Sequence, residues 1–271
     1  MDYKFFLGIG VAVAIVFAGA AVYTGFVKHI PAESAGQDTL YQVSTIDALM
    51  QGVYDGDVTV AEIKKHGNFG IGTFDRLDGE MIVLDARVWQ AKADGTVLPA
   101  ADNQTTPFAT VTNFDTDIRQ TTTDSAMNFS GFATTMAAQI PSQNMIYAVK
   151  IHGTFPSVTV RAIPAQEPPY PTLTEAAKTQ GVHTYTNVTG TVVGFYTPTF
   201  LKGLNAQGYH LHFLADDHLR GGHILDLIVP PESIVEYDVT PEFTMALPTS
   251  GAFAGTNLTA DMSAALAAVE Q

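Results

Sequence analysis

Three histidines in the second half of the chain could bind a metal ion. His210 and His212 lie in an apolar segment, and alternate residues of a strand face the same way, so their imidazoles are predicted to project together. His223 begins another apolar segment, which a hairpin through residues 215–222 would bring beside the first. Three imidazoles in a chain without cysteine suit a borderline cation such as Zn²⁺ that keeps an open coordination position. The pattern favours a catalytic metal site, because structural zinc sites are usually closed by four protein ligands.

The composition argues against several classes of function. A net charge of −14, with only 13 lysines and arginines, argues against a nucleic-acid partner, which needs a basic face. The absence of cysteine excludes disulfides and a thiolate nucleophile. No Gly-x-Ser-x-Gly motif supports serine catalysis. A small anionic substrate is compatible with the sequence if a local cation or metal overcomes the negative field.

Four other polar residues are candidates for chemistry, although each also has an ordinary structural interpretation. Arg161 lies in a predicted strand, and its planar guanidinium could hold a carboxylate through two hydrogen bonds. Glu80 follows an Asp-Gly turn, where an exposed carboxylate is the common outcome. Glu270 is close to the C-terminus, and Thr73 ends a glycine-rich stretch at residues 67–73. Their spacing alone leaves these roles open.

The N-terminal segment predicts a membrane anchor. Residues 5–27 carry no charged side chain and form a stretch long enough to cross a bilayer as a helix. We therefore expect an N-terminal transmembrane helix with a catalytic domain outside the cytoplasm. The alternatives are a cleaved signal segment with secretion, and a domain that faces the cytoplasm.

The remainder of the chain predicts an α+β protein that is mostly β. Apolar and alternating segments predict strands over residues 80–93, 145–152 and 158–163, and an alanine-bearing stretch predicts a helix over 123–140. Four prolines within residues 163–171 predict a boundary there. The predicted divisions are an anchor or signal segment at 1–30, a linker at 31–38, and domains at 39–165 and 166–271.

Seven short motifs give the chain a resemblance to the α-acetolactate decarboxylase family. They follow the order of the family from about residue 39 to the C-terminus, and the apolar N-terminal segment lies outside them. The motifs are Leu-Met-Gln-Gly-Val-Tyr-Asp-Gly-Asp at 49–57, Gly-Asn-Phe-Gly-Ile-Gly-Thr-Phe at 67–74, Leu-Asp-Gly-Glu-Met at 77–81, Thr-Val-Arg-Ala at 159–162, Gly-Phe-Tyr-Thr-Pro at 194–198, Gly-Tyr-His-Leu-His-Phe at 208–213 and Gly-Gly-His at 221–223.

The resemblance implies a fold, an activity and a set of roles. The fold would be a mixed β-sheet domain followed by a β-barrel-like, metal-binding domain with a C-terminal tail, paired as a homodimer. The activity would be zinc-dependent decarboxylation of 2-acetolactate, a 2-hydroxy-3-oxo acid, to acetoin and CO₂ through a metal-stabilised enediolate. The zinc ligands would be His210, His212 and His223, the catalytic residues Glu80, Arg161 and Glu270, and the substrate-binding residues Thr73 and Arg161.

Two other interpretations of the histidines remain open at the level of sequence. A His-x-His pair also occurs in cupin-like oxygenases and isomerases, which would require iron or manganese and a carboxylate ligand soon after the pair. Asp216 and Asp217 are the candidates for that ligand. The third interpretation is a membrane-tethered protein that binds metal without catalysis.

Overall fold

The computed structural model describes residues 38–249 and 251–270, and strands dominate this part of the chain. The strands are β1 Thr39–Val43, β2 Val58–Thr59, β3 Phe69–Thr73, β4 Glu80–Leu84, β5 Arg87–Ala91, β6 Val97–Pro99, β7 Thr105–Thr106, β8 Ala109–Thr112, β9 Ile118–Thr121, β10 Met127–Asn128, β11 Tyr147–Ala162, β12 Gly181–Thr197, β13 Gly208–Ala215, β14 Gly221–Val229, β15 Ile234–Val239 and β16 Glu242–Ala246. The α-helices are α1 Ile46–Met50, α2 Val60–His66, α3 Phe129–Gln139, α4 Leu173–Ala176 and α5 Ser263–Val269.

The first sheet has seven strands in the order β16-β1-β8-β3-β4-β5-β6. Strand β1 pairs in parallel with β16, and the other neighbours are antiparallel. In β3, a Cβ atom on Gly70 or Gly72 would clash with the carbonyl oxygens of Thr110 or Phe108. The glycines therefore permit the close approach of β3 to β8 that brings Thr73 and the start of β4 into position.

The second sheet also has seven strands, in the order β10-β14-β13-β12-β11-β15-β9. Strands β11 and β12 form a long antiparallel pair, and β11 pairs with β14 as well. The four strands β11, β12, β13 and β14 therefore close into a ring of pairings. The pairing of β11 with β14 contains a register shift between Thr159 and Val160. The remaining short strands β2 and β7 pair with each other.

The two large sheets pack against each other through a shared apolar core. Ile71 and Ile82 of the first sheet lie in the same buried cluster as Val193, Phe195 and Leu214 of the second. A separate buried cluster joins α1 and α4 to the C-terminal helix α5 through Ile46, Leu49, Leu173, Leu266 and Val269. Burial of these side chains supplies the main driving force for docking the sheets and for holding the tail in place.

The structure confirms the prediction of a mostly-β fold and revises several boundaries. The predicted strand over 80–93 is two strands, because Asp85 and Ala86 both have positive φ (52° and 60°) and form a tight turn without glycine. The predicted strands over 145–152 and 158–163 are the single strand β11. The predicted helix over 123–140 begins only at Phe129, where the Asn128 side chain accepts a hydrogen bond from Gly131 and caps it.

The two sheets do not coincide with the predicted domains, which divide between residues 165 and 166 in the proline-rich segment. The described residues form one compact unit. Strand β11 precedes the boundary and belongs to the second sheet, whereas β16 follows it and belongs to the first. Strand pairing joins segments that are far apart in sequence, and the local proline pattern carries no information about such partners.

The predicted membrane localisation is corrected by the structure. None of the helices within residues 38–249 and 251–270 is both long and apolar enough to cross a bilayer. The segment at residues 5–27, on which the prediction of a transmembrane helix rested, lies outside the described residues.

Candidate metal centre and active site

Two neighbouring strands bring the three histidines together. His210 and His212 alternate along β13, and His212 lies opposite His223 of β14 in the antiparallel register. One nitrogen from each ring lies within 4.8 Å of the others. All three side chains are buried. The hairpin predicted from the sequence is confirmed, and it brings the three histidines into a cluster that could hold a metal ion.

The chemistry of the imidazoles also fits a metal ion. The Nδ1 atom of His212 lies 2.9 Å from the carbonyl oxygen of Met81, so Nδ1 donates a proton and Nε2 is left as a lone-pair donor. That Nε2 atom, like Nδ1 of His210, is buried without a hydrogen-bond partner in the described part of the chain. Leaving such groups unpaired costs about 1–3 kcal/mol each, and a bound cation would remove this cost at an unpaired nitrogen that faces it.

Burial also favours the protonation state that ligates metal. Desolvation lowers the pKa of His210, and it lowers the pKa of His212 and His223 well below the ordinary value. The positive charge of Arg161 acts in the same direction at all three rings. The histidines are therefore neutral near neutral pH, which is the form that binds a metal ion.

Two glutamates and an arginine surround the histidine cluster. Glu80, the first residue of β4, places Oε2 at 3.7 Å from Nε2 of His212. Glu270, which follows α5, places Oε2 at 3.5 Å from Nε2 of His210. Arg161 of β11 lies between the carboxylates, with its guanidinium nitrogens 3.9 Å from Glu80 and 3.7 Å from Glu270. The structure thus brings these predicted catalytic residues to the predicted metal ligands.

The pKa of Glu80 differs from that of an ordinary carboxyl group. Burial raises it to about 7, the positive charge of Arg161 opposes the rise, and the charge of Glu270 adds to it. Near neutral pH, Glu80 is therefore divided between its acid and its carboxylate forms, which suits a group that transfers a proton.

Thr73 lines the same site, but its hydroxyl forms a hydrogen bond with the protein backbone. Its Oγ1 donates a hydrogen bond of 2.8 Å to the carbonyl oxygen of Gly79, and Thr73 lies opposite Glu80 in the pairing of β3 with β4. The hydroxyl therefore fixes the turn that precedes Glu80. The predicted role of Thr73 in binding substrate stays a prediction.

Sequence reasoning missed the apolar half of the site. A cavity of about 30 Å³ is lined by these polar groups and also by aliphatic and aromatic side chains. The apolar part of the lining comprises Ile46, Leu49, Leu77, Phe108, Ile163 and Leu173. Such residues have no chemical signature in a sequence, because they are indistinguishable from ordinary core positions. A larger cleft of about 700 Å³ is lined by residues of α3, β13, β14 and α5, and Glu270 lines both spaces.

The carboxylates that a cupin-like site would need form other contacts. Asp216 lies 3.2 Å from His152 in an exposed pair, and Asp217 pairs with Arg220 at 2.6 Å. Neither belongs to the group of possible metal ligands found among the described residues. The cupin-like interpretation therefore loses the carboxylate ligand that it requires.

Comparison with known proteins agrees with the motifs and the geometry. The profile described as alpha-acetolactate decarboxylase matches residues 40–260. The chain is a member of the alpha-acetolactate decarboxylase family. It is 47% identical to the alpha-acetolactate decarboxylase of Methanosarcina mazei over 86% of this chain and 81% of that protein. It is 39% identical to the Bacillus subtilis enzyme over 81% of this chain and 85% of that protein.

A solved structure supports the same assignment. The crystal structure of the alpha-acetolactate decarboxylase from Bacillus subtilis superimposes with a TM-score of 0.81 at 37% identity, covering 86% of this chain and 98% of that one. The resemblance stated from the motifs is therefore confirmed. The protein is an acetolactate decarboxylase, and 2-acetolactate is its substrate. The identity of the metal, the roles of single residues and the homodimer stay predictions.

Proposed function

We propose that the decarboxylase holds Zn²⁺ on His210, His212 and His223 and converts 2-acetolactate to acetoin and CO₂ through an enediolate. The observation that carries this proposal is the convergence of three buried, neutral imidazoles with Arg161 between two carboxylates. When bound, Zn²⁺ would supply a Lewis acid that stabilises negative charge on the substrate oxygens.

Arg161 binds and orients the substrate carboxylate in this proposal. Its guanidinium is buried and its Nε atom has no hydrogen-bond partner in the described part of the chain, so donors remain for a ligand. A planar fork of donors matches a carboxylate through two parallel hydrogen bonds. This contact holds the bond from C2 to the carboxylate carbon in one orientation while it breaks, and CO₂ departs from the arginine.

The glutamates supply the proton that completes the reaction. Loss of CO₂ leaves an electron pair shared by C2 and the ketone oxygen, and a proton must reach C2 to give acetoin. Glu80 is the proposed proton donor, because burial raises its pKa to about 7 and a protonated fraction is therefore present near neutral pH. The apolar side chains that line the cavity limit access of water to the enediolate.

Removal of the metal is the direct test of the proposed zinc dependence. We expect prolonged dialysis of the purified chain against a chelator to remove zinc and to lower acetoin formation in parallel. Addition of one equivalent of Zn²⁺ per chain should restore both. The measurements are metal content by mass spectrometry and acetoin formed from racemic acetolactate. Full activity in a metal-free sample would contradict the proposal.

The variant Glu80→Gln tests the proposed proton donor. Glutamine keeps the shape of the side chain and cannot release a proton, so we expect kcat to fall about 10²- to 10⁴-fold, the usual contribution of general acid catalysis. The zinc content should remain that of the wild type. Glu236→Gln, at a carboxylate that pairs with Lys150 and Arg119 on the second sheet, is the matched control. An unchanged kcat for Glu80→Gln would remove this residue from the mechanism.

A further inference from the structure

The carboxyl group of Glu80 depends on its backbone for its position. Its Oε1 atom lies 3.9 Å from a guanidinium nitrogen of Arg161, and its Oε2 atom lies 3.7 Å from Nε2 of His212. Both distances are longer than a charge-assisted hydrogen bond, which is about 2.7–2.9 Å. These two contacts therefore attract the carboxyl group without fixing it, and the turn that leads into β4 must place it.

This turn has a backbone that local preference does not stabilise. Arg76 and Leu77 both have φ of 62°, and Gly79 has φ of 88°. The left-handed region is unfavourable for side chains other than glycine, and such residues persist only where their surroundings determine them. The conformation of the turn before Glu80 therefore depends on contacts from other segments.

Gln90 of β5 supplies a buried side-chain contact to the turn. It is 5% exposed, and its Nε2 atom donates hydrogen bonds to the carbonyl oxygen of Asp78 and, at 3.2 Å, to Oδ2 of the same residue. Its Oε1 atom accepts a hydrogen bond of 3.0 Å from Nε2 of Gln104. Rotation of the amide by 180° would turn its oxygen toward the oxygens of Asp78, so these contacts determine its orientation.

The Asp78-Gly79 turn also contacts the strands that carry the rest of the site. The amide of Gly79 donates to the carbonyl oxygen of Ile163 at 3.0 Å, two residues after Arg161 in the chain. A Cβ atom on Gly79 would lie 2.4 Å from the carbonyl oxygen of Ala91, so the turn packs directly on β5. The turn therefore sets the position of Glu80 relative to Arg161, and Gln90 holds the turn from the side of β5.

The metal ligands do not depend on Gln90 in the same way. The carbonyl oxygen that accepts from His212 belongs to Met81, which is paired with Gly72 of β3 on one side and with Gln90 of β5 on the other. Main-chain pairing with two strands holds Met81 in place whatever side chain residue 90 carries. A change of the Gln90 side chain should therefore affect Glu80 and leave the orientation of His212 intact.

We propose that Gln90 is a positioning residue for Glu80, and that its amide holds the Asp78-Gly79 turn where the carboxyl group can reach C2 of the enediolate. A general acid must lie within hydrogen-bond reach of the atom that it protonates, and a misplacement of about 1 Å can cost about a hundredfold in rate. The inference rests on the proposed function, in which Glu80 donates the proton.

The test replaces the amide of Gln90 in the full, zinc-loaded chain. Gln90→Met keeps a similar length without a donor or an acceptor, and Gln90→Glu keeps the shape but places a carboxylate against Asp78. In both variants we expect kcat to fall about tenfold to a hundredfold. KM and zinc content should stay near the wild-type values, since Arg161 and the histidines keep their places. The measurements are the kinetics of acetoin formation and the metal content of the protein.

Combination with Glu80→Gln separates positioning from a loss of folded protein. Once Glu80 cannot donate a proton, its position matters little, so adding Gln90→Met should lower kcat less than about twofold further. A purely structural defect would lower kcat by the same factor in both backgrounds. Gln120→Met is the matched control, because Gln120 on the edge strand β9 also donates to a backbone carbonyl, that of Gln139 at 3.0 Å. It should keep the kcat of the wild type.

Two results would overturn the proposal. One is a wild-type kcat in folded Gln90→Met and Gln90→Glu, and the other is an equal loss of kcat with and without Glu80→Gln. A wild-type kcat in Glu80→Gln alone would instead remove the proposed proton donor, and the inference about Gln90 with it.

Discussion

The double variant His210→Ala/His212→Ala should lose its bound zinc and form acetoin at least on the order of a thousandfold more slowly than the wild type. Both residues project from one face of β13 into the buried cluster. Their removal leaves His223 alone, and a single imidazole does not hold zinc in competition with solvent. Metal content and the rate of acetoin formation should therefore fall together.

Surface histidines provide the control for this experiment. His152 forms an exposed pair with Asp216, and His218 stacks on Trp89 in the turn between β13 and β14. The double variant His152→Ala/His218→Ala removes the same number of imidazoles but should retain zinc and most of the activity. The proposed metal site is wrong if the variant of the cluster keeps one equivalent of zinc while the protein stays folded.

The second large effect is expected at Arg161. Replacement by alanine removes the guanidinium that is proposed to bind the substrate carboxylate, and it leaves Glu80 and Glu270 without their shared cation. We expect kcat/KM to fall on the order of a thousandfold, as when a preorganised charge partner is lost. Loss of one partner from a buried ion pair also costs about 3–5 kcal/mol of stability, so thermal unfolding must be followed alongside the kinetics.

The variant Arg161→Lys separates the two consequences. Lysine keeps a positive charge between the glutamates, so most of the stability should return, but it lacks the planar fork that fits a carboxylate. Activity should therefore stay at least about tenfold below the wild type, with KM raised more than kcat is lowered. Arg119→Lys, at an exposed pair with Glu236, is the control. Wild-type kinetics in Arg161→Lys would show that charge alone suffices.

The parts of the site that depend on local sequence were predictable. The alternation of His210 and His212 and the short turn before His223 define the hairpin, and both features act within a few residues. Glu80 and Arg161 have ordinary interpretations by themselves, and only the resemblance assigned them to the site. Their approach depends on the docking of two sheets, since β4 and β11 belong to different sheets.

Other features left no usable trace in the sequence. The turn at Asp85 and Ala86 divides a predicted strand although neither residue is glycine, and Leu77 also has positive φ. At both places tertiary contacts outweigh the local conformational preference of the residue. The assignment of β11 and β16 to sheets across the proline-rich segment depends on pairing between residues that are distant in sequence.

The hydrogen bond from His212 to the carbonyl oxygen of Met81 connects catalysis to assembly of the whole fold. Since the ring belongs to the second sheet and the carbonyl group to the first, a chain with only one sheet formed has no oriented imidazole at this position. We therefore expect decarboxylase activity only from chains in which both sheets have formed.

By mass action, metal that binds only the assembled site also stabilises the contact between the sheets. Substitutions in the core between the sheets, for example at Ile82 or Leu214, would weaken metal affinity without touching a ligand. Under the proposed zinc binding, such variants should contain less zinc than the wild type, and added Zn²⁺ should restore part of their activity.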